Sequence, residues 1–349
     1  MIRHFVDVFD LQPHEARALI DRALALKRED REGKRPAILA GRTLGLVFEK
    51  PSLRTRVSFE AAIAQLGGNA IFLQGKDVGL GSRESAADFA RITSLYIDAL
   101  AVRTFAHATV EELARHASIP VINALSDAAH PCQALADMMT IRESLGRLEG
   151  VKVAFVGDGN NVAGSLAQAC ALLGLEFVLA APAGYEFTLG YQTQFARAFP
   201  GTALRMETDA RQAVARADVV YTDVWASMGQ EGEADARRRV FEPFRVDDGL
   251  LALAHSDAIF LHCLPAHRGE EVTAEVIDGP KSRVLLQAAN RLHFQKALLV
   301  WLLCAGKPGP TEVKAKVAPE KRPSGSAEEP RAQGPKTTSR ASRRRIPGS

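Results

Sequence analysis

Cysteine is scarce in this chain: there are four in 349 residues, at positions 132, 170, 263 and 304, with no Cys-x-x-Cys pair among them. That spacing argues against a disulfide framework and against a cysteine-based zinc site, so any functional cysteine acts singly. No apolar run approaches a membrane span, and the opening Met1-Ile2-Arg3-His4-Phe5-Val6-Asp7 lacks the apolar core of a secretory leader. A cytoplasmic protein without membrane partners is expected. Excess positive charge is also missing, except in one segment. Residues 307–349 carry 11 Lys and Arg against 4 Glu, which leaves 33 basic and 37 acidic residues in the rest of the chain. With almost no large apolar residues, this segment is expected to be a disordered, solvated tail. Its Arg343-Arg344-Arg345 run suits at most weak contacts with nucleic acid or an anionic surface, and no nucleic-acid partner is expected for the body.

The chain as a whole, 46% hydrophobic and 24% charged, has an ordinary soluble globular composition and is long enough for two domains. Its most informative stretch follows an apolar, β-prone run, Leu44, Leu46, Val47 and Phe48, that breaks at Pro51-Ser52. Beyond the break Val57, Ala61 and Ala64 recur at helical spacing, as do Phe59 and Ile63. This predicts strand, turn and helix, with free backbone N–H groups and the positive dipole end near Ser52, where Arg54, Thr55 and Arg56 also lie. A capped surface helix with solvated arginines is the plain alternative. Two arginines spaced two apart do not share a helix face for an ion-pair stripe, and this favours an anion site, most simply for phosphate.

Alternation of strand and helix continues. Residues 75–84 hold three closely spaced glycines and predict a mobile loop ahead of a helix over 85–96. The strand over 98–103 ends in Arg103, at the end of an open α/β sheet where ligands bind; a rim arginine paired at the surface fits equally well. After a strand at 120–123, His130-Pro131-Cys132-Gln133 opens a helix, so that His130 and Gln133 could donate hydrogen bonds to a carbonyl oxygen, or His130 could simply be a cap. Gly146 to Gly150 breaks the pattern and divides the domains.

The strand over 151–156 then runs into Gly157-Asp158-Gly159-Asn160-Asn161-Val162. A dinucleotide loop would need glycine at 162, where Val162 opposes close backbone approach, so the asparagine pair better suits a carboxylate or an amino-acid backbone. The strand over 217–223 ends in Asp223, a carboxylate that can hold an ammonium group, followed by the compact Ser227-Met228-Gly229 turn. A strand over 258–262 leads to Cys263. His262 cannot serve as its base, because neighbours along a strand point to opposite faces. A last strand is expected at 284–286, then an apolar helix from 290 to 304.

Taken together, Lys50-Pro51-Ser52-x-Arg54-Thr55-Arg56-x-Ser58-Phe59-Glu60 and His130-Pro131-x-Gln133 resemble the two signatures of the carbamoyltransferases. Asp223-x-Trp225-x-Ser227-Met228-Gly229 and His262-Cys263-Leu264-Pro265 resemble the ornithine branch of that superfamily. The resemblance covers about residues 5–305. It implies two doubly wound parallel-sheet α/β domains with the active site between them: a carbamoyl-phosphate domain over 1–147, with a helix at 289–305 packing back on it, and an ornithine domain over 148–288. It implies carbamoyl transfer to the δ-amine of ornithine, giving citrulline, with no metal or organic cofactor, in a homotrimer whose sites lie at subunit interfaces. A carbamoyltransferase for putrescine or an acylated ornithine, or an inactive phosphate-binding homologue, would share the fold.

Carbamoyl phosphate is then expected at Ser52, Leu53, Arg54, Thr55, Arg56, Arg103, His130, Gln133, Cys263, Leu264 and Arg291, and ornithine at Asn161, Asp223, Ser227 and Met228. Arg54, Arg103, His130, Gln133, Cys263 and Arg291 are the expected catalytic set. Two positions depart from the family pattern. Gly79 stands in the loop that reaches a neighbouring subunit, where many members carry Gln or His, with Arg83 as a potential substitute. Ala289 replaces a glutamate, and this predicts a looser hold on Arg291.

Overall fold

Runs such as Leu44 to Phe48 and Val153 to Val156 are apolar on both strand faces, which suits parallel strands covered by helices on either side. The computed structural model of the chain describes residues 2–79, 83–226 and 231–304. Four strands, β1 (Thr43–Phe48), β2 (Asn69–Gln74), β3 (Ala99–Arg103) and β4 (Val121–Leu125), form a parallel sheet in the order β2-β1-β3-β4. Five more, β5 (Lys152–Val156), β6 (Glu176–Ala180), β7 (Arg205–Glu207), β8 (Val219–Thr222) and β9 (Ile259–His262), form a second parallel sheet in the order β7-β6-β5-β8-β9. In both sheets the chain moves out to one side of the first strand and then to the other, so a crevice opens at the carboxyl ends where the direction reverses. Register brings Phe48 beside Arg103 at the first crevice, and Val156, Thr222 and His262 side by side at the second.

Two helices that follow strand tips carry the core from one sheet to the other. The Pro131–Leu145 helix contributes Leu135, Met138 and Met139, and the Asn161–Leu173 helix contributes Leu166 and Cys170, all buried in one apolar cluster that reaches both sheets. Polar ties flank it: the His130 N–H donates to Ser165 Oγ (2.8 Å) and Asn161 Nδ2 donates to the Ser126 carbonyl (2.6 Å).

The end of the chain differs from expectation. Residues 284–286 are the first turn of a continuous helix, Val284–Leu303. Three apolar residues in a row are compatible with either state, and burial of the following Gln287, Asn290, Arg291 and Phe294 at helical spacing decides for helix. The division expected between 288 and 289 therefore falls within an element. This helix lies against the Pro13–Arg31 and Pro131–Leu145 helices: Lys27 Nζ meets Asn290 Oδ1 (2.6 Å) and Glu143 Oε2 (2.5 Å), and Phe294 packs on Phe5 with ring centroids 6.4 Å apart. In the predicted mobile loop, Gly75–Val78 form one helical turn that Gly79 ends with a left-handed backbone (φ 64°). Glycine adopts that conformation without the usual Cβ penalty.

Candidate active site

Each strand tip at the two crevices delivers a polar side chain. After β1, Ser52 precedes the Leu53–Gln65 helix in extended backbone, and its hydroxyl caps none of the helix N–H groups. No acidic residue stands in the first turn, so the helix start remains electropositive. Arg54 is exposed there and Leu53 is 76% exposed, while Thr55 is buried. Arg56 behaves otherwise than its spacing suggested. It forms an ion pair with Glu60, four residues on (2.9 Å), and stacks over the Phe72 ring at 3.5 Å, outside the cluster that follows.

That cluster is built around Arg291. Its guanidinium donates through Nη1 to Gln133 Oε1 and through Nη2 to Thr55 Oγ1 (2.8 Å), which joins the final helix to the starts of the Leu53–Gln65 and Pro131–Leu145 helices. Thr55 acts here as acceptor, so its own hydroxyl proton remains available to a ligand. Arg103, at the tip of β3, is buried, and its Nε has no protein partner. Burial, with the charges of Arg291 and Arg54 nearby, lowers its pKa to about 10, which leaves it a cation at neutral pH. His130 is buried with Nδ1 unpartnered. Burial first, then the Arg291 and Arg103 charges, hold its pKa well below the usual value. The ring is therefore neutral and can polarise a carbonyl without adding a charge.

Across the crevice the groups are acceptors and amides. Asp223, following β8, receives the Cys263 thiol on Oδ1 (3.1 Å) and the Asn160 amide on Oδ2 (3.1 Å). Asn160 is also the cap of the Asn161–Leu173 helix, its Oδ1 accepting the N–H groups of Val162 (2.9 Å) and Ala163 (3.0 Å). Thus Asn160 meets Asp223, while its neighbour Asn161, the residue expected to bind ornithine, is tied to the Ser126 carbonyl. Burial, then the charge of Asp223 and the hydrogen bond to it, hold the Cys263 pKa well above the usual thiol value. Cys263 is accordingly a neutral donor, consistent with the absence of a histidine base. His262 turns the other way: its Nδ1 accepts the Leu264 N–H (2.9 Å) and its Nε2 faces Glu271 Oε1 (3.2 Å). Leu264 itself has φ 58°, an uncommon and strained conformation for a branched residue, at the point where the chain leaves β9. Ser227 and Met228 lie outside the described residues.

Sequence reasoning missed several members of this arrangement. Arg237, buried, donates through Nη1 to Asp158 Oδ2 (2.8 Å) and to the Trp225 carbonyl (3.0 Å) and through Nε to Glu233 Oε2 (3.1 Å), so it braces the segments that flank Asp223. Asp137 lies beneath Gln133 and accepts its Nε2 (2.7 Å). The four-residue spacing from Gln133 on a helix was the available signal. Nor does the structure place position 289 behind Arg291: Ala289 is exposed on the final helix.

Among the described residues, two groups of side chains have the residue types of a metal site. Asp223, His262 and Cys263 bring one ligand atom each within 4.8 Å of one another, as do His267, Glu270 and Glu271. In the first, both histidine nitrogens and the thiol are already engaged. In the second, Glu271 Oε1 is occupied by His262 and by the His267 N–H (2.6 Å), which leaves Oε2 without a protein partner, and His267 is exposed. Neither is a preformed tetrahedral centre.

Among the described residues, no helix is long and apolar enough to cross a membrane. The chain matches two family models: that of the carbamoyl-P binding domain of aspartate/ornithine carbamoyltransferase over residues 3–143, and that of its Asp/Orn binding domain over residues 149–302. It is 54% identical over 307 residues to an ornithine carbamoyltransferase of Acidothermus cellulolyticus, covering 87% of this chain and 98% of that one. It is 52% identical over 301 residues to the ornithine carbamoyltransferase of Bacillus subtilis, covering 85% and 93%. The solved structure of ornithine carbamoyltransferase from Pyrococcus furiosus superposes with a TM-score of 0.84 at 49% identity, covering 87% of this chain and 97% of that one. With most of its length matched in this way, the chain belongs to the aspartate/ornithine carbamoyltransferase family.

Proposed function

We propose that this protein transfers the carbamoyl group of carbamoyl phosphate to the δ-amine of ornithine, giving citrulline and phosphate. The observation that carries the choice of amine is the Asp223–Cys263 pair at the tips of β8 and β9. It is a carboxylate with a neutral thiol, suited to an ammonium or amine, facing a cationic crevice suited to phosphate. Residues 1–147 form the carbamoyl-phosphate domain and 148–283 the ornithine domain, with the Val284–Leu303 helix returning to the first.

The charges suggest the sequence of events. Ser52, Leu53, Arg54, Thr55 and Arg56, with the helix start, hold the phosphate. Arg56 joins them by leaving Glu60. Arg103, His130, Gln133 and Arg291 donate to the carbamoyl oxygen, which gains negative charge as the amine nitrogen attacks the carbonyl carbon. The C–O bond to phosphate then breaks, phosphate departs with the electron pair, and the proton lost by the amine nitrogen passes to a phosphate oxygen, giving hydrogen phosphate. The attacking amine must be neutral although its free pKa is roughly 10.4. The neighbouring arginines and loss of water on binding both favour that form. Asn161, Asp223, Ser227 and Met228 orient ornithine, and Cys263 and Leu264 line the point where the two substrates meet.

The protein also works as a homotrimer. Beside edge strand β2 a cavity of about 500 Å³, lined by Ile71, Leu73, Val78, Phe89, Tyr96 and Ile97, adjoins exposed apolar side chains, with Tyr96 74% exposed, a surface suited to a neighbouring copy. The same reading makes it a cytoplasmic enzyme of arginine metabolism. Purified protein given carbamoyl phosphate and a panel of amines should form citrulline from ornithine and no product from putrescine or acylated ornithine. Absence of product with every amine would overturn the reading, and a single-chain mass by light scattering would overturn the trimer.

A further inference from the structure

Asp137 is fully buried beneath the crevice, on the Pro131–Leu145 helix, and three donors from three segments converge on it. Gln133 Nε2 (2.7 Å) and Gln287 Nε2 (2.8 Å) share Oδ1, and the Tyr221 hydroxyl reaches Oδ2 (3.1 Å). Tyr221 lies in β8, two residues before Asp223, and Gln287 is in the final helix, so the carboxylate collects hydrogen bonds from both halves of the molecule.

The sense of each bond is determined by chemistry. A side-chain amide can rotate by half a turn at little intrinsic cost, exchanging its oxygen and nitrogen. Gln133 lies between the Arg291 guanidinium, which can only donate, and Asp137, whose carboxyl pKa burial pushes up to about 7 and which, ionised above that, can only accept. Only one orientation satisfies both: Oε1 toward Arg291 and Nε2 toward Asp137. Gln287 is oriented by the same logic. The His262 N–H donates to its Oε1 (2.9 Å), leaving Nε2 for Asp137 and for the Tyr221 oxygen (3.1 Å). Donation therefore runs inward from β9 on one side and from Gln133 on the other, and ends on Asp137.

We propose that Asp137 is a positioning residue for the transfer reaction: its carboxylate locks the Gln133 amide with oxygen toward Arg291 and so holds the guanidinium where the carbamoyl oxygen binds. The proposal rests on the carbamoyl-transfer reading. Asp137 touches neither substrate and acts through Gln133 and Arg291. A buried acid with a purely structural task would depend on satisfied donors alone, whereas this one determines which end of a site amide faces the site arginine.

Asp137→Asn keeps shape and volume but removes the charge and puts a donor where one acceptor oxygen stood, and where that donor faces Gln133 the amide must turn its oxygen away from Arg291. Its kcat should fall roughly 10- to 100-fold with the KM for ornithine unchanged. The double variant Asp137→Asn/Gln133→Ala should have the same kcat as Gln133→Ala alone, because both changes break one path. A wild-type kcat in Asp137→Asn, or losses that multiply in the double variant, overturns the proposal. In a crystal structure of Asp137→Asn the Arg291–Gln133 hydrogen bond should be gone, and its retention overturns the proposal whatever the activity. An unmodified protein that makes no citrulline counts instead against the transfer reading, and the crystal structure then decides for Asp137. Should Asp137→Asn fail to fold, Tyr221→Phe removes one donor and should lower kcat about 3-fold in the wild-type background and not at all in Gln133→Ala. Equal losses in both backgrounds overturn the proposal.

Discussion

At the tips of the first sheet donors are in surplus. Arg103 Nε, Arg291 Nε and His130 Nδ1 are buried polar atoms with no protein partner, and the start of the Leu53–Gln65 helix has neither a side-chain cap nor a nearby acid. At the tips of the second sheet most polar groups satisfy one another: the Cys263 thiol and the Asn160 amide both end on Asp223, and Asn160 caps its own helix, while Trp225 Nε1 and Glu271 Oε2 are buried without a protein partner. Unpaired buried donors are costly, and a site that keeps several is arranged for an anion that arrives whole. The amino-acid half must instead exchange bonds it already has. On the proposed function the first half is preorganised apart from Arg56, which must leave Glu60, while the other half adjusts when its ligand binds.

The comparison breaks most visibly if the surplus cation is not needed. Arg54→Ala should lower kcat/KM about 10³-fold with the melting temperature unchanged, because Arg54 is exposed and supports no packing. Arg56→Ala should cost less, since Arg56 must first leave Glu60 and Phe72. Citrulline formation and circular dichroism on the same samples check both, and equal losses at 54 and 56 would contradict the distinction.

A smaller effect tests the other half. Burial and the Asp223 charge raise the Cys263 pKa, so little thiolate exists at pH 8. Asp223→Asn removes a negative neighbour, lowers that pKa, and should speed alkylation of Cys263 by iodoacetamide at pH 8 roughly tenfold, since one unit of pKa is a factor of ten in thiolate. Mass spectrometry of the modified peptide reports the rate, and an unchanged or slower rate would show that Asp223 does not control the thiol. The smallest expected effect is at 289. Ala289→Glu should change kcat less than about twofold, the scale of an ordinary surface substitution, because Arg291 is held by Thr55 and Gln133 and position 289 faces away. A large gain would instead show that the lost carboxylate matters.

Much of this architecture was legible in the chain because parallel strands buried on both faces leave continuous apolar runs, and because chemistry sits where those runs end. Arg103, Asp223 and Cys263 each follow such a run. The residues that were not legible are those whose meaning depends on a distant partner. Asp137 follows Gln133 by four, yet its other donors come from 84 and 150 residues away. Asn160 and Asn161 are neighbours of one type, and only the cap geometry separates the one on Asp223 from the one on Ser126. The Arg56–Glu60 pair was a local signal masked by attention to Arg54. Residues 284–286 were misread because three apolar residues carry no period.

The final helix ties Arg291 to Thr55 across 236 residues of sequence and Lys27 to Asn290 across 263. On the ribosome, where chains grow at about 5–20 residues per second, Thr55 waits roughly 10–50 s for its arginine. Both sheets can pair long before then, since each is made of strands from one stretch of chain. A chain interrupted ahead of Val284 would lack Arg291, the contact that joins Thr55 to Gln133, together with the buried Phe294, Leu298 and Leu302 of the final helix. The Thr55–Arg291–Gln133 junction therefore closes in one late step, once synthesis has passed the final helix.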